Sequence, residues 1–179
     1  MEAIIQLFNS IKEFWHDIIF WYVVPEMQNV VILRNGRYHK QMGPGLYLKM
    51  PSIFSFGDEL HYVDTVIETT DTQPQTVTTK DNFQVVVSAI IKHRVSDPKI
   101  YVIEVMDVKS AIVDITMGKI KKNVMERTWD ECINQGLDNE IAKQARSEAK
   151  KWGVYIEEVT IINLAQIKSL RLITNNNLL

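Results

Sequence analysis

A single cysteine, Cys132, stands in a chain of 179 residues. That scarcity excludes an internal disulfide and any cysteine-rich metal site, and it fits a reducing compartment. Charge of one sign is equally scarce. Lys and Arg number 20 against 22 Asp and Glu, a net charge of -2, so there is no global field to recruit nucleic acid or an anionic bilayer. No stretch reaches the ~20 uncharged apolar residues of a spanning helix, and the first residues lack the basic region and small-residue cleavage site of a signal peptide. His16, His39, His61 and His93 are scattered without an i, i+4 pair, and no Cys-x-x-Cys exists, so a metal site is not expected. Gly43-Pro44-Gly45 lacks the lysine and helix pattern of a phosphate loop. Cys132 has no histidine nearby in sequence and no glycine-rich nucleophile turn, so it reads as structural. Internal repeats are absent too. The expectation is a chain that is not an enzyme, takes no cofactor and binds no nucleic acid.

What the chain does have is an ordinary globular composition, 46% hydrophobic and 23% charged, sufficient for one domain or two small ones. Its apolar weight begins at the N-terminus. Ile4, Leu7, Phe8, Ile11, Trp15, Ile18, Ile19 and Tyr22 recur at helical spacing, with Asn9, Lys12, Glu13 and His16 on other faces. The pattern predicts an amphipathic helix over residues 1–24, running into the apolar stretch Ile18 to Val24 and stopping at Pro25. This is more apolar surface than one side of a small sheet covers, so a bilayer or a second copy must take the remainder. Trp15, Trp21 and Tyr22 are ring types favoured at the headgroup level. The expected bilayer contacts are Leu7, Phe8, Ile11, Phe14, Trp15, Ile18, Ile19, Phe20, Trp21 and Tyr22. Lys12, Glu13 and Asp17 interrupt the segment, which therefore reads as lying in one leaflet or dipping into it. Its acidic balance predicts binding by apolar burial, insensitive to salt.

Past Pro25 the signals turn to β. Val30 to Leu33 followed by Arg34-Asn35-Gly36-Arg37 predicts a strand and a hairpin turn, because Asn-Gly supplies the positive φ values such a turn needs. Leu60 to Thr69 and Gln75 to Thr79 are short β-rich runs. In Phe83 to Val95, Phe83, Val85, Val87, Ala89, Ile91 and Val95 share a core face, while Gln84, Ser88, Lys92 and Arg94 take a wetter one. His93 falls on the apolar face near the strand's exit, where a satisfied or partly exposed histidine is expected. Asp97-Pro98 then starts a helix, and Asp107 caps a longer one through about Glu126. The apolar stripe of that helix drifts at Gly118, predicting a kink or burial on two sides. Lys119, Lys121, Lys122 and Arg127 point in different directions around it, as on a solvated helix surface. A further helix from Leu137 ends at Gly153; a strand from Val154 to Asn163 and a short helical tail from Ala165 follow. The order predicts an α+β fold, a mostly antiparallel sheet with packed helices.

Read in order, several stretches resemble the SPFH, or Band 7, family of stomatin, prohibitin and flotillin, in its stomatin-like version. They are Val24-Pro25 with Val30 to Arg37; Gly43-Pro44-Gly45-Leu46 with Pro51; Val63-Asp64; Val77-Thr78-Thr79-Lys80-Asp81-Asn82 leading into the Phe83 strand; Asp97-Pro98; and Trp152-Gly153-Val154. The resemblance covers about Pro25 to Asn163, within an expected domain of residues 25–164, and implies a scaffold with no active site, held on a membrane face. Attachment is expected to be peripheral or monotopic, and the lone cysteine adds the expectation that the domain faces the cytoplasm. It also implies a homo-oligomer that organises membrane regions or regulates a membrane-protein client such as a protease or channel. Family members usually continue into a long coiled coil, for which residues 165–179 leave room for barely two heptads; smaller side-by-side contacts are the expectation. The alternative reading is a soluble self-associating module whose N-terminal helix is an oligomerisation element.

Overall fold

The computed structural model describes residues 21–48, 58–134 and 136–167. The expected N-terminal helix, as far as residue 20, and the tail beyond Ile167 lie outside the described residues. The fold is α+β, and the chain divides into two compact units: one takes the residues up to Val66 with Val95–Met106, the other takes Ile67–Arg94 with the residues from Asp107.

The first unit contains strands β1 (Trp21–Val24), β2 (Gln28–Arg34), β3 (Arg37–Met42), β4 (Gly45–Leu48) and β5 (Asp58–Asp64), with helix α1 (Pro98–Glu104). The hairpin forms where Asn-Gly predicts it: Asn35 and Gly36 have φ of 51° and 72°, the twist that joins two antiparallel strands through a two-residue turn. The three-stranded sheet has the order β3-β2-β5, all antiparallel. Two constraints on β3 conflict. The turn fixes Arg34 opposite Arg37, the core fixes Val30 opposite Met42, and β3 then has one residue too many; His39 is left without a partner in a bulge. On one face Val30, Ile32 and Met42 pack with Val24, Tyr22, Tyr47 and Leu60, so the small β1–β4 sheet covers this side. The other face meets α1, where Lys99 sits 4.5 Å above the ring of Tyr38. Asp97 caps α1 as expected, accepting from the amides of Lys99 and Ile100.

Trp21–Val24 correct the sequence reading. They form a strand and not the last turn of a helix, pairing antiparallel with β4 in the register Trp21↔Leu48 to Val24↔Gly45. Aromatic and β-branched residues suit that pairing, which no local pattern announces.

The second unit is built on β8 (Gln84–Val95). β6 (Glu68–Asp71) and β7 (Gln75–Thr78) pair with the two ends of one edge, and β9 (Val154–Gln166) pairs with β8 as well. Contacts of Gln84 with Ile167, Ser88 with Asn163 and Lys92 with Glu158 run in opposite order along β8 and β9, so that pairing is antiparallel. α2 (Val108–Met125) packs against β6, β7 and α4 (Asp138–Ala149), and α4 packs on β9. Ile141, Ala145 and Ala149 form the buried stripe of α4, and the alanines let the helix approach the sheet closely. After a 3₁₀ turn, Lys150–Trp152, Gly153 closes the helix with φ 71° as its sequence predicts.

Some expectations need correction here. The run Leu60 to Thr69 is two strands in different units. Val85, Val87, Ala89 and Ile91 are fully buried, but Phe83 stands just before β8, half exposed. Ser88, expected on the wetter face, is buried and accepts a 2.7 Å hydrogen bond from Asn163 Nδ2. The last strand continues through Gln166, so Ala165 and Gln166 are not helical. α2 runs unbroken past Gly118, and its buried residues, from Val108 and Ile112 round to Met117, Ile120 and Val124, spread over a broad arc, the second of the two outcomes foreseen.

A candidate membrane-facing surface

Alternation along two paired strands gives each side chain of the β1–β4 sheet a face. Tyr22, Val24 and Tyr47 turn inward. The Tyr22 and Tyr47 rings stack at 5.7 Å, the Tyr22 hydroxyl donates to Met42 Sδ at 3.1 Å, and Tyr47 donates to the Gly43 carbonyl at 2.9 Å. Burial raises the Tyr22 hydroxyl's pKa above its ordinary value, with help from Tyr62, Tyr47 and Asp58. Both hydroxyls thus have a hydrogen-bond acceptor.

The residues between them turn outward. Trp21 lies opposite Leu48 and Val23 opposite Leu46, and they are 56%, 82%, 63% and 69% exposed. Four large apolar side chains in two cross-strand pairs leave no polar group on this face. Met27, in the turn after β1, is also exposed. A two-stranded sheet carries such a face at a cost in hydration unless something covers it, which is why contiguous exposed apolar surface marks an interaction site.

Of the ten expected bilayer contacts, the structure describes Trp21 and Tyr22. Trp21 is on the open face, whereas Tyr22 is an inward residue that holds the β1–β4 sheet to the rest of its unit. Val23, Leu46 and Leu48, which complete the open face, were not among the ten. The signal available was Gly45-Leu46-Tyr47-Leu48, a run with no polar residue on either face of a strand.

Elsewhere the described residues carry little that resembles chemistry. No group of three or more His, Cys, Asp or Glu among them could hold a metal. Cys132 is buried on α3 (Trp129–Asn134), and burial pushes its thiol pKa up, against a smaller opposing effect of Arg127. Lys119 on α2 pairs with Glu148, and Arg127 just past α2 with Glu140, both acids on α4, so two of the four cations of the basic cluster act as bracing; Lys122 meets only the exposed Glu126 at 4.0 Å. A cleft lined by Thr70, Gln75, Lys109, Val113 and Asp114 is polar, and its lysine is paired with Glu68 at 2.8 Å. No helix of the described residues is long and apolar enough to cross a membrane.

The chain is 29% identical over 143 residues to Stomatin-4 of Caenorhabditis elegans, matching 78% of this chain and 50% of that protein. It is 28% identical over 141 residues to a stomatin homolog of Pyrococcus horikoshii, 78% of this chain and 52% of the other. With an uncharacterized protein of Archaeoglobus fulgidus it shares 30% identity over 141 residues, 78% and 55% of the two chains. It thus spans about half the length of these curated relatives. The family model described as SPFH domain / Band 7 family matches residues 22–167, from the inward tyrosine of β1 to the end of β9, and the chain belongs to that family.

Proposed function

We propose that this chain is a membrane-associated scaffold of the stomatin type, which seats its β1–β4 face on a bilayer, self-associates there, and organises membrane regions or regulates membrane proteins such as proteases or channels. The observation that carries this reading is the open face of Trp21, Val23, Leu46 and Leu48. In the sequence, Trp21 follows directly on the apolar N-terminal residues. Family membership and the stomatin names of two relatives support the scaffold role.

The test is flotation of the full chain with liposomes. Replacing Trp21, Val23, Leu46 and Leu48 by Ser removes apolar surface from exposed positions and leaves Tyr22, Val24 and Tyr47 in the core, so folding is retained. Flotation is expected to fall strongly in this variant, and to fall further when residues 1–20 are also removed. Truncation to Pro25 is the wrong control, because it deletes the buried Val24 and the Tyr22 hydroxyl bond. Equal flotation of the wild-type and four-serine chains would remove the face from the proposal. A discrete soluble dimer, formed without detergent and ignoring liposomes, would favour the self-associating module.

A further inference from the structure

Three cations of the first unit, Arg37, Lys40 and Lys99, have no ion pair among the described residues; Lys99 sits over the Tyr38 ring, and the fold brings the other two to one side. Arg37 and Lys40 are three residues apart on β3, a spacing that in a regular strand puts side chains on opposite faces. The bulged His39 changes this. Arg37 pairs with Arg34 and Lys40 with Ile32, and Arg34 and Ile32 share a face of β2, so both cations lie on the face that carries the β1–β4 sheet. Both are exposed.

The charges around them decide the sign of this edge. Arg34, on the same face, is held by Asp58 through two bonds, Nε to Oδ1 at 2.7 Å and Nη2 to Oδ2 at 2.9 Å, and that pair cancels itself. The guanidinium keeps the Asp58 carboxyl below its ordinary pKa, so the cancellation is maintained. Asp64 lies at the far end of the sheet, opposite Gln28, and takes that amide's hydrogen bond. Glu59 is opposite Leu33, on the face toward α1. At the hairpin end of this face the charges without an ion pair are therefore those of Arg37 and Lys40, while the Asp64 carboxylate keeps its own charge at the far end.

Packed sheets lie about 10 Å apart, and an interfacial element buries its apolar face roughly 5–10 Å into the boundary of headgroups and acyl chains. When the Trp21–Leu48 face is immersed, the edge of the sheet beneath it stands at headgroup level. Long cationic side chains rising from that edge meet phosphate and carboxylate groups there.

We propose that Arg37 and Lys40 form a cationic rim that contacts the anionic headgroups of the bilayer into which the Trp21, Val23, Leu46 and Leu48 face is set. This rests on the membrane reading above and adds a lipid preference to it. It differs from the salt-insensitive binding expected of residues 1–24 alone, because the rim contributes a screened, charge-dependent part.

The experiment compares flotation of the full chain on vesicles of phosphatidylcholine and on vesicles with phosphatidylserine added, using wild type, R37Q/K40Q and R37K/K40R. Wild type should favour the anionic vesicles, and the double glutamine variant should lose about fivefold in partitioning for each charge removed there, while binding phosphatidylcholine as before. R37K/K40R should retain the preference, since charge and reach are kept. Raising salt from about 0.1 M to about 0.5 M should erase the difference between wild type and R37Q/K40Q. Equal binding of these two to anionic vesicles overturns the rim and leaves the membrane reading standing. Binding of wild type to neither vesicle overturns both.

Discussion

His93 enters its core as a neutral imidazole. It is 4% exposed, and Nε2 lies 3.0 Å from the Thr70 hydroxyl on the neighbouring strand. Burial lowers its pKa below the ordinary 6.5; Glu68 opposes this and Lys109 adds to it. The unfolded chain therefore takes up the proton first as the pH falls, so stability is full above about pH 6.5 and declines below it. The thermal midpoint should drop between about pH 7 and about pH 5, and His93→Gln, which does not titrate, should flatten that slope. Asp81, whose carboxyl is held below its ordinary pKa by Thr79 and by the Trp129 amide, titrates below this window and does not confuse it. Cys132 gives a second residue-scale prediction. With its thiol buried and its pKa raised, it should resist alkylation by iodoacetamide in the native protein and react once the chain is unfolded. Rapid native labelling, read by mass spectrometry, would contradict the burial.

Helix α2 shows what a pattern on one element does and does not disclose. Met117 and Ile120 both enter the core, so Ile120→Ala should cost about 2–5 kcal/mol in denaturant unfolding, whereas Met125→Ala, at an exposed position, should change stability by about 0.5 kcal/mol or less. Gly118 interrupts the stripe but not the helix. A Cβ added there meets nothing within 4 Å, so Gly118→Ala should stabilise by about 0.5–1 kcal/mol. The elements that were legible are those fixed by local chemistry: the Asn35-Gly36 hairpin, the Asp97 and Asp107 caps, the alternation of β8 and the Gly153 stop. Those that were not legible depend on partners remote in sequence. Trp21–Val24 follow residues with helical spacing and become a strand only through β4, and Ser88 is buried only because Asn163 reaches it. The open face was half legible for the same reason. Trp21 could be picked out by its residue type, but Leu46 and Leu48 join it only through cross-strand pairing.

At the scale of the molecule, a surface-bound scaffold differs from a soluble one in how its copies meet. Confinement to a bilayer raises the effective concentration of weakly associating domains. Cross-linking of the full chain should therefore give a longer ladder with liposomes than without, and an identical ladder would count against assembly on the membrane. The bulge in β3 has its own bearing on how copies meet. β3 is an edge of its sheet among the described residues, and the unpaired His39 breaks the regular row of amides and carbonyls that a foreign strand needs. Because the strand holds one residue more than its hairpin requires, the chain can be shortened there without losing a single pair: without His39 the ladder from Arg34↔Arg37 to Val30↔Met42 closes in even register. Such a deletion would leave the monomer intact and turn a guarded edge into a smooth one, so loss of one residue here is a change that the fold forgives and solubility does not.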